Sequence, residues 1–280
     1  MAAPQSDVLR IEEIAVDDSE DLGTIAFVTI DRPDKLNALN AEVMSSLKDM
    51  VSWVENTDSI RVVVITGAQP KEAEEGKRAK PNAFVAGADI TEFVGKKSDD
   101  IRKMFAENAV EALWNISKPT IAMVDGFALG GGCEVACSCD IRVASDRSRF
   151  GTPEINLGLI PGYGATQRLV NLVGYGKTME MVMTGEMINS ADALKWGLVN
   201  HVVEPEQLHQ FTMDIAKKIG SKSTHTLKVA KQTIRTALST GLEEGVAIEA
   251  EAFASLFDSE DKEIGVSAFI GRHQAKWQHK

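Results

Sequence analysis

Residues suited to metal or disulfide chemistry are few in this chain. Of 280 residues three are cysteine, Cys133, Cys137 and Cys139. Their i, i+4, i+6 spacing fits neither a C-x-x-C pair nor a disulfide framework, so they are expected as reduced core residues rather than metal ligands. The five histidines, His201, His209, His225, His273 and His279, all fall late and form no H-E-x-x-H pair, which removes the metalloprotease and serine-triad readings. No apolar run approaches the roughly 18 residues of a membrane span. The opening MAAPQSDVLRIEEI has no basic n-region, apolar h-region or Arg-rich amphipathic pattern, so neither export nor organelle import is expected and the cytoplasm is the default compartment. Positive charge is also scarce: 30 Lys and Arg stand against 41 Asp and Glu, a net charge of -11. Nucleic-acid binding depends on clustered cations that displace counterions, so no nucleic-acid partner is expected and an anionic ligand must be captured locally.

What is present suits one large core. With 44% hydrophobic and 25% charged residues, one large domain, or one plus an appendage, is expected. Strand-like runs TIAFVTI (24–30), RVVVITG (61–67) and IRVAS (141–145) alternate with helical patterns, the first capped by Asn40 and another spanning 99–116. Such alternation predicts an α/β layered core. From 68 to 82 the sequence AQPKEAEEGKRAKPN has almost no apolar anchors and predicts a solvated loop. Within FVAGADITEF (84–93), Asp89 and Glu92 have capping-box spacing. Ser190 is expected to cap ADALKW, which Gly197 closes, and LVNHVV to form a short strand. Beyond Pro205 strand signals vanish, and three helical segments (206–219, 224–239 and 242–272) are predicted to cover the core or a subunit interface. No repeat of fixed period is visible.

Two acidic residues stand among small apolar neighbours. In PTIAMVDGFALGGGCEVACSCD a buried-strand pattern turns through Gly130, Gly131 and Gly132 into a small-residue helix that carries Glu134. Bare N–H groups at such a turn favour an anion or developing oxyanion, although a tightly packed turn with a surface glutamate fits the same pattern. Glu154, in FGTPEINLGLIPGYG, fits either a helix-start acid or a poorly solvated carboxylate with a raised pKa. Together, two amide-bearing turns and two such acids are the parts needed to polarise a carbonyl and move protons beside it. Several partial motifs fall away. Gly176-Lys177-Thr178 lacks the first glycine of a P-loop, Gly162-Tyr163-Gly164 meets Gln167 where a dinucleotide fingerprint needs glycine, and Ser45-x-x-Lys48 lies inside a helix.

The segments RPDKLNALN, FVAGADI, PTIAMVDGFALGGGCEVACSCDIRVAS, FGTPEINLGLIPGYGATQRL, SADALKWGLVN and FDSEDKEIGVSAFIGR together resemble the crotonase, or enoyl-CoA hydratase/isomerase, family in order and spacing over roughly 24–272. The resemblance implies an α/β fold built as a crotonase-like spiral of ββα units with a helical C-terminal region. Residues 1–196 would form the core with the active site, and 197–280 a mainly helical region for core cover and oligomerisation as a homotrimer or dimer of trimers. It further implies that the amides of Ala88 and Gly131 form an oxyanion hole for a thioester, and that Glu134 and Glu154, twenty residues apart, are the two catalytic acids of a hydratase. Glu134 would orient and deprotonate water attacking C3, Glu154 would exchange the proton at C2, and Gly162 would help place the water. Lys35, Ala38, Ala86, Asp89 and Ile90 match substrate-binding positions, and Lys262 matches a contact to the coenzyme A phosphates of a neighbouring subunit.

The implied reaction is reversible hydration of a trans-2-enoyl-CoA to a 3-hydroxyacyl-CoA, equally readable as a 3-hydroxyacyl-CoA or 3-hydroxypropionyl-CoA dehydratase. Coenzyme A is then part of the substrate and no separate cofactor or metal is expected. The rivals are a Δ3,Δ2-enoyl-CoA isomerase and a weakly catalytic CoA-thioester or RNA-binding homologue. Two departures from the family pattern, Tyr163 and Ala165 in PGYGATQRL, are expected to narrow the acyl pocket toward short chains.

Overall fold

The computed structural model describes residues 2–17, 19, 22–72, 79–106 and 108–280. Strand β1 (Leu9–Ala15) pairs antiparallel with β2 (Thr24–Ile30), which runs parallel to β3 (Ile60–Gly67). Helix α1 (Ala41–Glu55) joins β2 to β3 and is capped by Asn40, whose side chain accepts from Val43 N at 3.0 Å. After β3 the chain crosses to a second sheet as β4 (Ala83–Val85), continues through α2 (Ser98–Ala106) and α3 (Ala109–Trp114), and returns as β5 (Thr120–Val124). The same course recurs with β6 (Phe127–Leu129), α4 (Gly131–Ser138) and β7 (Ile141–Ser145), then with β8 (Arg149–Gly151), a 3-10 turn at Pro153–Leu157, and α5 (Ala165–Thr184). Strand β9 (Ile188–Asn189), α6 (Ser190–Lys195) and β10 (His201–Val203) complete it. Four helices follow: α7 (Pro205–Gly220), α8 (Thr224–Thr236), α9 (Leu242–Ser255) and α10 (Glu260–Gly271).

The strand orders are β1-β2-β3-β5-β7-β10 in the large sheet and β4-β6-β8-β9 in the small one. From β3 to α5 each turn of the chain gives one strand to each sheet and then passes into helix, which is the expected spiral of ββα units. Adjacent residues of one strand face opposite layers. In β2, Ala26, Val28 and Ile30 join the cluster shared with α1, α3 and α4, whereas Ile25 and Phe27 pack with Val62, Val64, Ile121 and Val143 against Leu208, Met213 and Ala216 of α7. Covered on both faces, these strands read as continuous apolar runs. The last helices contribute little to either cluster: no residue of α9 is buried, and only Asp261 and Ala268 of α10 are. Among the described residues no helix is long and apolar enough to cross a membrane.

Several local expectations change. The polar opening contains β1, an edge strand whose Glu12 and Glu13 are exposed while Leu9 is buried, and charge on the solvent side hid its alternation. The cap of α6 is Asn189, which accepts from Asp192 N at 2.8 Å, while Ser190 donates to Asp146 O instead. The helix expected at 99–116 is two helices, and that at 242–272 is broken by a 3-10 turn, Leu256–Asp258, before Ser259 caps α10. Asp89 and Glu92 form no capping box: Asp89 bonds Arg32 and Thr91, and Glu92 accepts from Ala41 N. The centre of the charged loop, 73–78, lies outside the described residues, but its flanks reach the Pro33–Lys35 turn, where Lys71 pairs with Asp34 at 2.5 Å and Lys80 at 3.8 Å.

Helix α4 lies so close to β4 that a Cβ at Gly132 would overlap the Val85 carbonyl oxygen. Backbone cannot yield as a side-chain tip can, so Gly132→Ala is expected to cost about 3 kcal/mol or more. Urea unfolding at unchanged m-value measures it.

Candidate active site

The three glycines that open α4 are required for three different reasons. Gly130 has φ 51° and ψ -124°, and a Cβ there would lie 2.9 Å from Glu154 Oε1. At Gly131 a Cβ would meet Leu39 Cδ1 at 3.0 Å and Ala88 N at 3.6 Å. Gly132 is fixed by its contact with β4. Leu39 and Ala88 form an isolated parallel bridge, which presents the Ala88 amide beside the start of α4. As the first residue of that helix, Gly131 has no intrahelical acceptor for its N–H. Neither the Ala88 N–H nor the Gly131 N–H is paired with an acceptor among the described residues. Two bare amides side by side at a helix start can stabilise a developing oxyanion.

Glu134 lies one turn inside α4 and is 1% exposed. Its Oε1 accepts from Tyr163 N at 2.7 Å and Ala165 N at 3.0 Å. Burial pushes its carboxyl up to about 7; the Ala165 amide pulls it back, Glu154 raises it further, and the Tyr163 amide and Arg168 lower it. Glu154, in the 3-10 turn after β8, lies over Gly130, and burial raises its pKa as well. Its Oε2 is buried without a hydrogen-bond partner among the described residues. The two acids are therefore differently prepared. Glu134 is held by donors that favour the anion, whereas Glu154 has an oxygen that gains little from ionising and is available to a ligand.

A second tier fixes the first. Arg168, on α5, donates to Tyr163 O at 2.7 Å and pairs with Glu111 at 2.5 Å. Its guanidinium lies 4.6 Å from the centre of the Trp114 ring, and that of Arg235, from α8, lies 3.9 Å from it. Arg235 in turn pairs with Asp140 at 2.9 Å, as does Lys231 at 2.6 Å. The loop carrying the Glu134 donors is thus braced from α3 and α8. Gly162 makes room for Phe105, whose Cζ would lie 2.7 Å from a Cβ there, and the Phe105 and Tyr163 rings pack with centroids 4.7 Å apart.

The remaining sequence-selected residues fall in two groups. Lys35, Ala38, Ala86, Asp89 and Ile90 lie on two neighbouring turns, joined by Ala86 N to Leu36 O at 3.0 Å, Leu39 N to Gly87 O at 2.9 Å and Asp89 N to Leu39 O at 2.7 Å. Arg32 clamps the turns together through Asp89 at 3.1 Å and Ala38 O at 2.5 Å. The Thr91 hydroxyl, and after it Arg32, hold the Asp89 carboxyl below its usual range. Lys262 stands apart on α10, paired with Glu263 and 4.9 Å from the centre of the Phe257 ring.

Sequence reading missed five contributors. The Tyr163 and Ala165 amides belong to the start of α5, entered through Gly164 at φ 108°, so the reasoning about bare helix-start amides applied to the glycine turn would have found them. Asn37, at φ 57° and 1% exposed, donates to Ala68 O and Ala83 O and accepts from Arg32 N. Its tolerance of left-handed backbone was the available signal. Arg32 and Arg168 had none, because their partners are distant in sequence.

The family model of enoyl-CoA hydratase/isomerase matches residues 20–280. A short-chain-enoyl-CoA hydratase of Clostridium acetobutylicum is 41% identical over 90% of this chain and 93% of its own. A crotonyl-CoA hydratase of Syntrophomonas wolfei is 36% identical over 97% of this chain and 100% of its own. The crystal structure of an enoyl-CoA hydratase subunit from Geobacillus kaustophilus superposes with a TM-score of 0.87 at 32% identity, covering 99% of this chain and 100% of that one. With its strand order, its glycine turn and near full-length likeness to these proteins, the chain belongs to the enoyl-CoA hydratase/isomerase family.

Proposed function

We propose that the chain is an enoyl-CoA hydratase, a hydro-lyase that adds water reversibly to short-chain trans-2-enoyl-CoA and releases 3-hydroxyacyl-CoA. The observation that carries this reading is the pair of acids beside the bare amides of Ala88 and Gly131, one anchored by two donors and the other with a buried, unpartnered oxygen. The thioester oxygen accepts from both amides. Glu134 takes a proton from water as its oxygen bonds to C3, and the C2=C3 electrons move into the enolate. That enolate collapses as C2 takes a proton from Glu154. A proton must then pass from Glu134 to Glu154 before the next cycle. Written this way the reaction needs no prosthetic group, and coenzyme A is carried by the substrate.

The two turns joined by Arg32 are the proposed seat of the coenzyme A moiety, with Lys35, Ala38, Ala86, Asp89 and Ile90 as its contacts. Gly162 is the remaining backbone contact assigned to the attacking water. The Tyr163 ring beside Gly131, backed by the Phe105 ring, limits acyl length. Assembly as a homotrimer or dimer of trimers is supported by the apolar side chains left in solvent on the last helices, among them Leu242, Phe253, Phe269 and Ile270. Such assembly would bring Lys262 to a neighbour's coenzyme A.

Crotonyl-CoA should give 3-hydroxybutyryl-CoA, and conversion of 3-enoyl-CoA without any hydration would instead identify an isomerase. Glu134→Gln and Glu154→Gln are each expected to lower kcat by about 10³-fold or more, with KM changed only severalfold, because each removes a proton-transfer group. The pH profile of kcat/KM should be bell-shaped, because one acid must be ionised and the other protonated, with the limb set by Glu134 near 7.

Burial of Glu134 also has a stability signature. Its folded pKa lies above the unfolded one, so its favourable contribution is complete below the unfolded pKa and is lost as pH rises through about 7. Glu134→Gln should therefore raise Tm at pH 8, relieving about 3 kcal/mol, and have little effect at pH 4.5. Loss of positive charge in Arg168→Met should reduce kcat about tenfold, leave KM nearly unchanged and move the Glu134 limb to higher pH, with Arg168→Lys recovering part of each effect.

A further inference from the structure

A cavity of about 370 Å³ opens at the other end of the large sheet from the paired amides. Arg61 lies at the start of β3 and Lys118 just before β5, whereas Gly67, at the end of β3, adjoins Phe84 and Asn37 on the active-site side. At about 3.3 Å per residue, β3 separates the two ends by roughly 20 Å. The walls of the cavity combine core and C-terminal residues: Arg61 and Lys118 from the core, Thr224 and Lys228 from the first turns of α8, and His279 and Lys280 from the final segment.

Four of these side chains are cationic, and Asp58 is the one carboxylate side chain among the lining residues. In a protein of net charge -11 that local excess is unusual and electrostatically costly. Lys118 is 1% exposed and uses two of its three ammonium protons on Val54 O and Thr57 O, each at 2.6 Å. Burial, and then the nearby Lys228 ammonium, push its pKa down to about 8; Glu55 and Asp58 oppose the shift, and Arg61 adds a smaller lowering. Lys228 makes no hydrogen bond or ion pair among the described residues. His279 Nδ1 accepts from Thr224 N at 3.2 Å, which fixes the tautomer with its proton on Nε2 and leaves that N–H as a donor. The backbone amides of Gln278 and His279 are held by buried Asp261 at 2.6 and 3.1 Å, and Ser223 donates to the same carboxylate at 2.5 Å. The final segment is therefore seated on the helix start that faces the cavity.

We propose that this cavity binds a small phosphate-bearing anion through Lys118, Lys228 and Arg61 at the start of α8, and that occupancy clamps residues 277–280 onto the core. An oxyanion of phosphate or diphosphate size suits clustered ammonium and guanidinium donors beside helix-start dipoles. It would supply a partner to Lys228 and offset the repulsion that Lys228 and Arg61 exert on Lys118, which Glu55 and Asp58 oppose in part.

The test uses the full-length protein with inorganic pyrophosphate and, separately, ADP, at constant ionic strength set with NaCl. Calorimetry should show saturable 1:1 binding per chain for at least one of them, with a Tm rise of about 2–4 °C at tenfold excess over Kd. Amide exchange in 277–280 should slow on binding. Lys228→Gln should weaken the affinity about tenfold or more while leaving crotonyl-CoA turnover unchanged, Lys228→Arg should retain it, and the surface control Lys195→Gln should match the parent. Preference between the two probes would identify the source as free diphosphate or a nucleotide. The proposal is overturned if neither probe saturates, if NaCl alone reproduces the Tm rise, if Lys228→Gln and Lys195→Gln behave alike, or if binding leaves exchange in 277–280 unchanged.

Discussion

A carboxylate buried against two backbone amides is the interaction on which the candidate site depends. Glu134 can be 1% exposed only because the start of α5 supplies Tyr163 N and Ala165 N to one of its oxygens. Burying an acid without such donors would leave it neutral and unable to act as a base near neutral pH. With them its proton affinity rests near 7, where one group can both take and return a proton. The stability lost by ionising it is retained as reactivity, the usual exchange at a functional site.

The rest of the fold brings those donors, the bare amides and the second acid together. The three glycines let α4 start against β4, beside Ala88 and beneath Glu154. Each comes from a different turn of the spiral: Ala88 follows β4, Gly131 follows β6 and Glu154 follows β8. Because those three strands pair side by side in the parallel part of the small sheet, the turns that follow them must be neighbours. The parallel sheet thus supplies convergence that the linear sequence, with 20 residues between the acids, does not display.

Much of this was legible before the structure. The apolar runs at 24–30, 61–67 and 141–145 became strands with nearly the same bounds, because strands covered on both faces leave an unbroken hydrophobic signature. The glycine turn could be read as an outward amide site because a helix start has the same orphan donors wherever it occurs. The small sheet could not be read: β4, β6 and β8 have three residues each and β9 two, too few for a period of two to show. Nor could the spiral, since its turns carry helices and loops of unequal length and leave no fixed interval. Arg168 and Arg32 act across 57 residues each, to Glu111 and Asp89, and only folding reveals such pairs.

The most direct measurement is a crystal structure of the protein with 3-hydroxybutyryl-CoA bound. The thioester oxygen should lie about 3 Å from both Ala88 N and Gly131 N, with Glu134 at the C3 hydroxyl and Glu154 facing C2. A thioester oxygen bound away from either amide, or an acyl chain whose C2 and C3 lie beyond contact of both carboxylates, would contradict the account.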